Sequence, residues 1–495
     1  MRKTASGYRL IFGYLGLFIA FTGITLLLPL LAIPAFPKEG GDWYCFFIPG
    51  MSAIALGIGL FSLIYKREKS QLGKHQDSVL LVLVWVSAIL ISSTPFLIKG
   101  NLSFTDAIFE TTSAYATIGL TVFKPTDYSL HLFVLYRSFN VFFGGVGLIL
   151  IVTSAISDRY GLKLYVAEGH NDKLMPNLAK SARLILSIYT GIILIGVGLL
   201  CLAGMPVFDS IVHSISAVAT GGFSSKPEGL IAFKSSTHFG LVQIVLIFLM
   251  VAGAINFLIH LFMLTGKWKK VIKDCEIRLF IALTAIFLPL FCLSALVNSG
   301  WKNVGGSLAA GAFTYFSSFT TTGFTNVSSL VTLGQGVMFL VFIGTIVGGG
   351  MGSTAGGVKQ YRFAVALKSF FWSTREKMSN PNLVFPHYIW RFGEQKEVDS
   401  KDSAEAFSYI LLYVMVILFG SFLMTLIGTA TFGENMFEFA NAISSNGMSN
   451  GVTAAANDGV KWVLILGMFA GRLEILGIYF GIYRAVRDAL GKETI

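Results

Sequence analysis

Charge is scarce in this chain: 13% of its 495 residues are Asp, Glu, Lys or Arg, against 54% apolar ones. A soluble protein of this size could not hide so much apolar surface, so the composition implies a polytopic membrane protein. Cysteine is scarcer still. Cys45, Cys201, Cys275 and Cys292 stand far apart with no CxxC or ligand-like spacing, which argues against a thiolate metal site. There is no GxxxxGK[ST] phosphate loop and no hydrolase constellation, so neither ATP hydrolysis nor other enzyme activity is expected. The run from Leu10 to Phe36 is too long for a signal-peptide core and has no clear cleavage site, so it reads as a retained span.

The net charge of +11 would fit a nucleic-acid binder, but the placement of the charges argues for topology instead. Apolar runs long enough to cross a bilayer begin near Leu10, Phe47, Val79, Leu184, Phe239, Leu279, Val337, Phe407 and Val460. A tenth runs from about Leu132 to Ile156. Tracing the loops from a cytoplasmic N-terminus puts 28 Lys and Arg on one side and 7 on the other, with Arg137 and Arg472 within or near spans. By the positive-inside rule both termini are then cytoplasmic.

A repeat organises the spans. SAYATIGL (113–120), SAVATGGF (216–223), SSFTTTGF (317–324) and NAISSNGM (441–448) align on Gly119, Gly222, Gly323 and Gly447, about one hundred residues apart. Each unit reads as apolar span, half-length helix, small polar stretch and second span. The half-helices, roughly 104–116, 208–219, 307–320 and 434–444, are too short to cross and are expected to dip in and return. The resulting organisation is an N-terminal helix pair (1–70), repeat one (71–180), repeat two (181–275), repeat three with a gate loop and a cytoplasmic loop (276–400), and repeat four (401–495). A basic segment, KREKSQLGKHQ (66–76), separates the pair from repeat one. Close packing through small residues explains one such stretch, but not four in register.

Irregular backbone at membrane depth needs protein or a water-filled path to satisfy it. Four copies around one axis would form a ring of carbonyls able to replace the hydration shell of a cation. Glycine suits that place because it reaches unusual backbone angles and leaves no side chain in the way. Thr117, Thr220, Thr321 and Ser445 share the position two before the glycine, where their hydroxyls would add ligands or pin the loop. No charged residue occupies these positions, so no carboxylate ring for divalent ions is built. Glu110, His213 and Glu438 align nine before the glycine, where they are expected to pin the half-helices rather than touch the ion. Arg137 and Asn140, and Asn256 with His260, are expected to hydrogen-bond between repeats.

The span after Gly323 carries VGGGMGSTAGGVK, Val347 to Lys359. Each helix-interior glycine costs about 1 kcal/mol relative to alanine, so a regular helix here would be weak. GMGSTA (350–355) fits a loose dinucleotide pattern but lacks the preceding strand that would give it meaning. An unwound gate is the preferred reading, formed by Gly348, Gly349, Gly350, Gly352, Ser353, Thr354, Gly356 and Gly357; close helix packing is the alternative. Arg472, in FAGRLEILG of the final span, is a second gate candidate, since a charge within a span is costly. It could instead pair with Glu474 or cap a buried carbonyl.

SAVATGGF with its following span, SSFTTTGF and NGMSNG resemble the TrkH/KtrB branch of the Trk/Ktr/HKT potassium transporters, over about residues 75–490. The extra N-terminal pair is like the ten-span form. The resemblance implies an all-α membrane fold of four helix–pore loop–helix repeats around one potassium path in a prokaryotic plasma membrane. Its filter would comprise Thr117, Ile118 and Gly119; Thr220, Gly221 and Gly222; Thr321, Thr322 and Gly323; and Ser445, Asn446 and Gly447. Plant relatives with serine at the first filter glycine carry sodium, so Gly119 favours potassium. The resemblance also implies an intramembrane gate loop with Arg472 close to it. It implies a homodimer above a cytosolic nucleotide-binding ring of TrkA/KtrA type, docked at the basic loop Lys359–Glu405 beside membrane lipid. Potassium is then the transported substrate, with no covalent cofactor. The competing reading is an alternating-access transporter of another cation or small solute. Four units of one orientation, each with a re-entrant loop, favour the pore.

Overall fold

The computed structural model describes residues 4–64, 76–147, 178–235, 237–380, 383 and 385–490. Residues 66–75 of the basic segment, and 148–156 of the tenth apolar run, lie outside the described residues.

Helices α1 (Thr4–Leu27) and α2 (Trp43–Ile64) form an antiparallel N-terminal pair. Glycines set their spacing. A β-carbon on Gly16 would stand 2.7 Å from the Gly57 carbonyl oxygen, and one on Gly23 would stand 2.6 Å from that of Gly50. Backbone approach of this kind holds helices together where lipid is as apolar as leucine. The pair packs on α3 (Gln76–Lys99), the first span of repeat one.

Repeat one continues with the half-helix α4 (Phe104–Tyr115) and α5 (His131–Val146). Repeat two has α6 (Leu178–Leu202), the half-helix α7 (Val207–Val218), α8 (Phe239–Ala254) and α9 (Phe257–Leu264). A short helix, α10 (Trp268–Lys273), leads to repeat three: α11 (Cys275–Asn298), the half-helix α12 (Val304–Phe319) and α13 (Gln335–Val347). After a loop come α14 (Gln360–Lys377) and a hairpin of β1 (Tyr388–Arg391) and β2 (Glu394–Glu397). Repeat four has α15 (Ser400–Ile427), the half-helix α16 (Phe432–Ile443), the short α17 (Val452–Ala455), then α18 (Asp458–Arg472) and α19 (Ile475–Ala489).

The half-helices match the expected boundaries to within three residues. At 12 residues, α4, α7 and α16 are each about 18 Å long, roughly half a bilayer. Their start signals are local. Ser103 caps α4 by accepting from the Asp106 amide at 3.1 Å, and Thr431 with Glu434 forms a capping box on α16. The Glu434 carboxylate accepts from the Thr431 amide at 2.8 Å, whereas the Asp106 carboxylate pairs with Lys461 at 2.6 Å.

Among the described residues, six helices are long and apolar enough to cross a membrane. Two more spans are bent pairs, α8–α9 at 109° and α18–α19 at 100°. The Tyr8 hydroxyl donates to Asp488 at 2.9 Å, so the start of α1 and the end of α19 lie on one face.

Candidate ion filter and gate

All four half-helices end in the same hydrogen bond. The amides of Ile118, Gly221, Thr322 and Asn446 donate to the carbonyls of Ser113, Ser216, Ser317 and Asn441, at 2.9, 2.7, 2.9 and 2.9 Å. This is the long bond of a Schellman motif, whose turning residue adopts the left-handed conformation. Glycine usually fills that position. Here Thr117, Thr220, Thr321 and Ser445 do, at φ of 52°, 52°, 53° and 55°. Left-handed backbone costs a residue with a side chain roughly 1–2 kcal/mol. Four such residues in register are the kind of strain that concentrates at functional loops.

The four glycines of the candidate filter have a different reason to be glycine. Gly119, Gly222 and Gly323 have φ of 98°, 64° and 90°, but Gly447 does not share that conformation. Space is what the four have in common. A β-carbon on Gly119 would stand 2.6 Å from the Gly221 carbonyl oxygen, and one on Gly447 would stand 2.5 Å from that of Ile118. On Gly222 it would run into the Thr322 carbonyl, and on Gly323 into the backbone of Gly447. Repeats one to four therefore meet in chain order and close a ring with no room for a side chain. One face of the ring opens into a cavity of about 520 Å³ that all four glycines line. Behind it, a space of about 30 Å³ beside Ser445, Gly356 and Arg472 is of water size.

Glu110, His213 and Glu438, nine before the glycine in three repeats, tie their half-helices to the loops that follow. Glu110 accepts from the Thr121 hydroxyl at 2.9 Å and the Val122 amide at 3.0 Å. Glu438 accepts from the Ser449 hydroxyl at 2.6 Å and the Asn450 amide at 3.1 Å. His213 Nδ1 donates to the Asp209 carbonyl at 2.8 Å, which leaves Nε2 to accept from the Ser224 hydroxyl at 3.1 Å. In three repeats, then, the position nine before the glycine holds the position two after it. Repeat three has Thr314 and Thr325 there instead, and the buried Thr314 hydroxyl has no partner among the described residues. Arg137, fully buried, donates to Glu110 at 2.9 Å and to the Ser224 carbonyl at 2.7 Å, which ties repeat one to repeat two.

One fourfold feature escaped sequence reasoning. The residue four before each filter glycine ends its half-helix, and there a glycine of the second span presses against it. A β-carbon on Gly144, Gly253 or Gly471 would collide with the carbonyl of Tyr115, Val218 or Ile443. One on Gly344 would lie 2.7 Å from the Phe319 ring. The spacing from filter glycine to second-span glycine varies between repeats, which hides the pattern in an alignment. The second spans of repeats two and four also bend just past these glycines. The break expected in repeat three alone is shared.

In repeat three the break is wider than in repeats two and four: α13 ends at Val347 and α14 begins at Gln360, with all eight expected gate residues in between. The Thr354 hydroxyl lies 2.9 Å from the carbonyls of both Val218 and Gly253, and 3.2 Å from the Thr220 hydroxyl. The Gly356 amide donates to the Thr321 hydroxyl at 2.8 Å. Arg472 donates to the Thr354 carbonyl at 3.3 Å, and to the carbonyls of Gly144 and Gly145 at the end of α5. Of the alternatives for Arg472, capping buried carbonyls is the one observed, and those carbonyls include the loop's own. Glu474 pairs with Arg362 at 2.7 Å. The loop thus lies against the ring, bonded to repeats two, three and four, and reaches repeat one only through Arg472. The four cysteines are free thiols.

A family model described as TrkH, cation transport protein, matches residues 44–483. The chain is 30% identical over 472 residues to the Trk system potassium uptake protein TrkG of Escherichia coli, covering 91% of this chain and 92% of that protein. It is 28% identical over 492 residues to the Trk system potassium uptake protein TrkH of Salmonella typhimurium, covering 94% and 97%. In fold it is similar to the crystal structure of the potassium transporter TrkH from Vibrio parahaemolyticus. That match has a TM-score of 0.82 at 24% identity and covers 95% of this chain and 98% of that one.

Proposed function

The chain belongs to the TrkH family of cation transport proteins, and on that premise we propose that it takes up potassium across a prokaryotic plasma membrane through a gated pore. It is a transporter, not an enzyme. The observation that carries the reading is the closed ring of four pore loops, open to a cavity on one face and covered by a loop on the other.

In this reading the backbone carbonyls of the twelve filter residues replace the water shell of a potassium ion. The buried Thr117 hydroxyl, without a hydrogen-bond partner among the described residues, is available to the same ion. The C-terminal ends of four half-helices add negative potential. The loop 348–357 closes the path from within, held by Arg472. Both termini face the cytoplasm, as the Lys and Arg distribution favours. Residues 1–70 form an added helix pair, and 71–180, 181–275, 276–400 and 401–495 form the four repeats. We place a cytosolic nucleotide-binding ring of TrkA/KtrA type beneath a homodimer, since the relatives are named as parts of a Trk system.

Expression in cells stripped of their own potassium uptake, together with the cognate regulator, tests the reading. Growth at low external potassium is expected, and a failure to restore it with correctly inserted protein contradicts the reading.

A further inference from the structure

The gate loop is gripped at one residue from two sides. The Met351 amide donates to Glu276 Oε1 at 2.8 Å, and the Met351 carbonyl accepts from the Asn256 side-chain amide. Asn256 sits at the bend between α8 and α9 of repeat two, and Glu276 in the first turn of α11 of repeat three. Next to Met351, the Gly350 amide donates to the Ala254 carbonyl at 2.9 Å. The conduction path proposed above uses neither Glu276 nor Asn256. Glu276 is buried at the start of α11. There a carboxylate is expensive unless its acceptor capacity is used.

The same helix end is tied to the hairpin. Asp274, fully buried, caps α11 by accepting from the Glu276 amide at 3.0 Å. Its other oxygen accepts from the Phe392 amide at 3.0 Å. Phe392 and Gly393 are the two turn residues of the hairpin, at φ of 53° and 82°, as a two-residue primed turn requires. A second link runs beside the first: Arg391 lies 3.5 Å from the Met351 sulfur and 4.0 Å over the Tyr361 ring. Ile389 and Val398 anchor the hairpin in an apolar cluster with Val365 and Ala406 of the helices on either side.

We propose that Glu276 is a positioning residue that holds the gate loop shut at Met351, and that Asp274 makes the 388–397 hairpin the handle by which that hold is released. A force on the hairpin acts on α11 at Asp274, two residues from Glu276, so the loop feels a displacement of the hairpin as loss of the Met351 bond. Asn256 completes the grip from repeat two. The inference rests on the reading of 348–357 as a gate.

The test is potassium flux into proteoliposomes holding the full-length protein without regulator, paired with hydrogen exchange over residues 348–359. Losing a hydrogen bond to a charged acceptor shifts a closed–open balance roughly tenfold or more, so Glu276→Ala is expected to raise flux and exchange by about that factor. The ratio of potassium to sodium flux should not change, because the filter is untouched. Glu276→Gln keeps an acceptor oxygen and is expected to stay near the parent. Asn256→Asp keeps the cap on the Leu258 amide but loses its donor to Met351, and is expected to act like Glu276→Ala. Asp274→Ala should loosen the hairpin and the loop together. The latch is overturned if Glu276→Ala and Asn256→Asp leave flux and exchange unchanged while Arg472→Ala and Thr321→Val raise flux. If none of these four variants changes flux although exchange rises, it is the gate reading that fails.

Discussion

The hydroxyl oxygens of Thr220 and Thr354 lie 3.2 Å apart, so the second pore loop touches the loop that interrupts the third repeat. At this point no other residue stands between the two segments. Thr220 is one of the four left-handed residues, and Thr354 lies within reach of the carbonyls of Val218 and Gly253 behind it. The proposed filter and the proposed gate are therefore one hydrogen-bonded unit.

Thr321→Val tests that unit. The substitution keeps the shape of the side chain but leaves the Gly356 amide without its acceptor at 2.8 Å. An unsatisfied buried amide costs about 1–3 kcal/mol, borne by the covered state. Regulator-free potassium flux should rise, and proteoliposomes carrying the variant alone provide the measurement.

Gly323→Ala should abolish uptake. Its β-carbon meets the backbone of Gly447, which no rotamer change can relieve, in a ring closed by its neighbours. Gly305→Ala is the matched control, because a β-carbon there meets nothing within 4 Å. Rubidium uptake by cells expressing equal amounts of each protein should separate the two.

Arg472→Ala removes donors to the Thr354, Gly144 and Gly145 carbonyls and should increase ion leak without regulator. Arg472→Lys should give an intermediate leak, since an ammonium cannot reproduce a planar fork of donors. Unchanged leak in the alanine variant would detach this residue from the gate.

Glu110 and Arg137 form a buried ion pair at 2.9 Å, with both side chains almost wholly enclosed. Removing one partner strands a charge, so Arg137→Met should destabilise the protein by about 3–5 kcal/mol. The double variant with Glu110→Gln should recover part of that loss. Thermal unfolding in detergent measures both.

The repeat was legible in the sequence because Gly119, Gly222, Gly323 and Gly447 repeat a local need, the absence of a side chain at a crowded ring. The half-helices were legible because the stretch before each of those glycines is too short to cross a bilayer. The glycine-rich break of repeat three could also be read, since six glycines among ten residues oppose a helix. What stayed hidden depends on contacts between distant segments. Gly144, Gly253, Gly344 and Gly471 meet half-helix ends at unequal sequence spacings, so no alignment brings them together. The strain at Thr117, Thr220, Thr321 and Ser445 was invisible because threonine is an unusual choice for a left-handed turn. The grip of Glu276 on Met351 spans 75 residues and leaves no periodic trace.

Tracer flux in proteoliposomes, comparing potassium, rubidium and sodium with and without a pH gradient, bears most directly on the central claim. A potassium-selecting pore predicts downhill potassium and rubidium entry well above sodium entry, lost in Gly323→Ala and increased in Arg472→Ala. Sodium entry equal to potassium entry would contradict it, as would counterflow of an organic solute with no potassium-dependent flux.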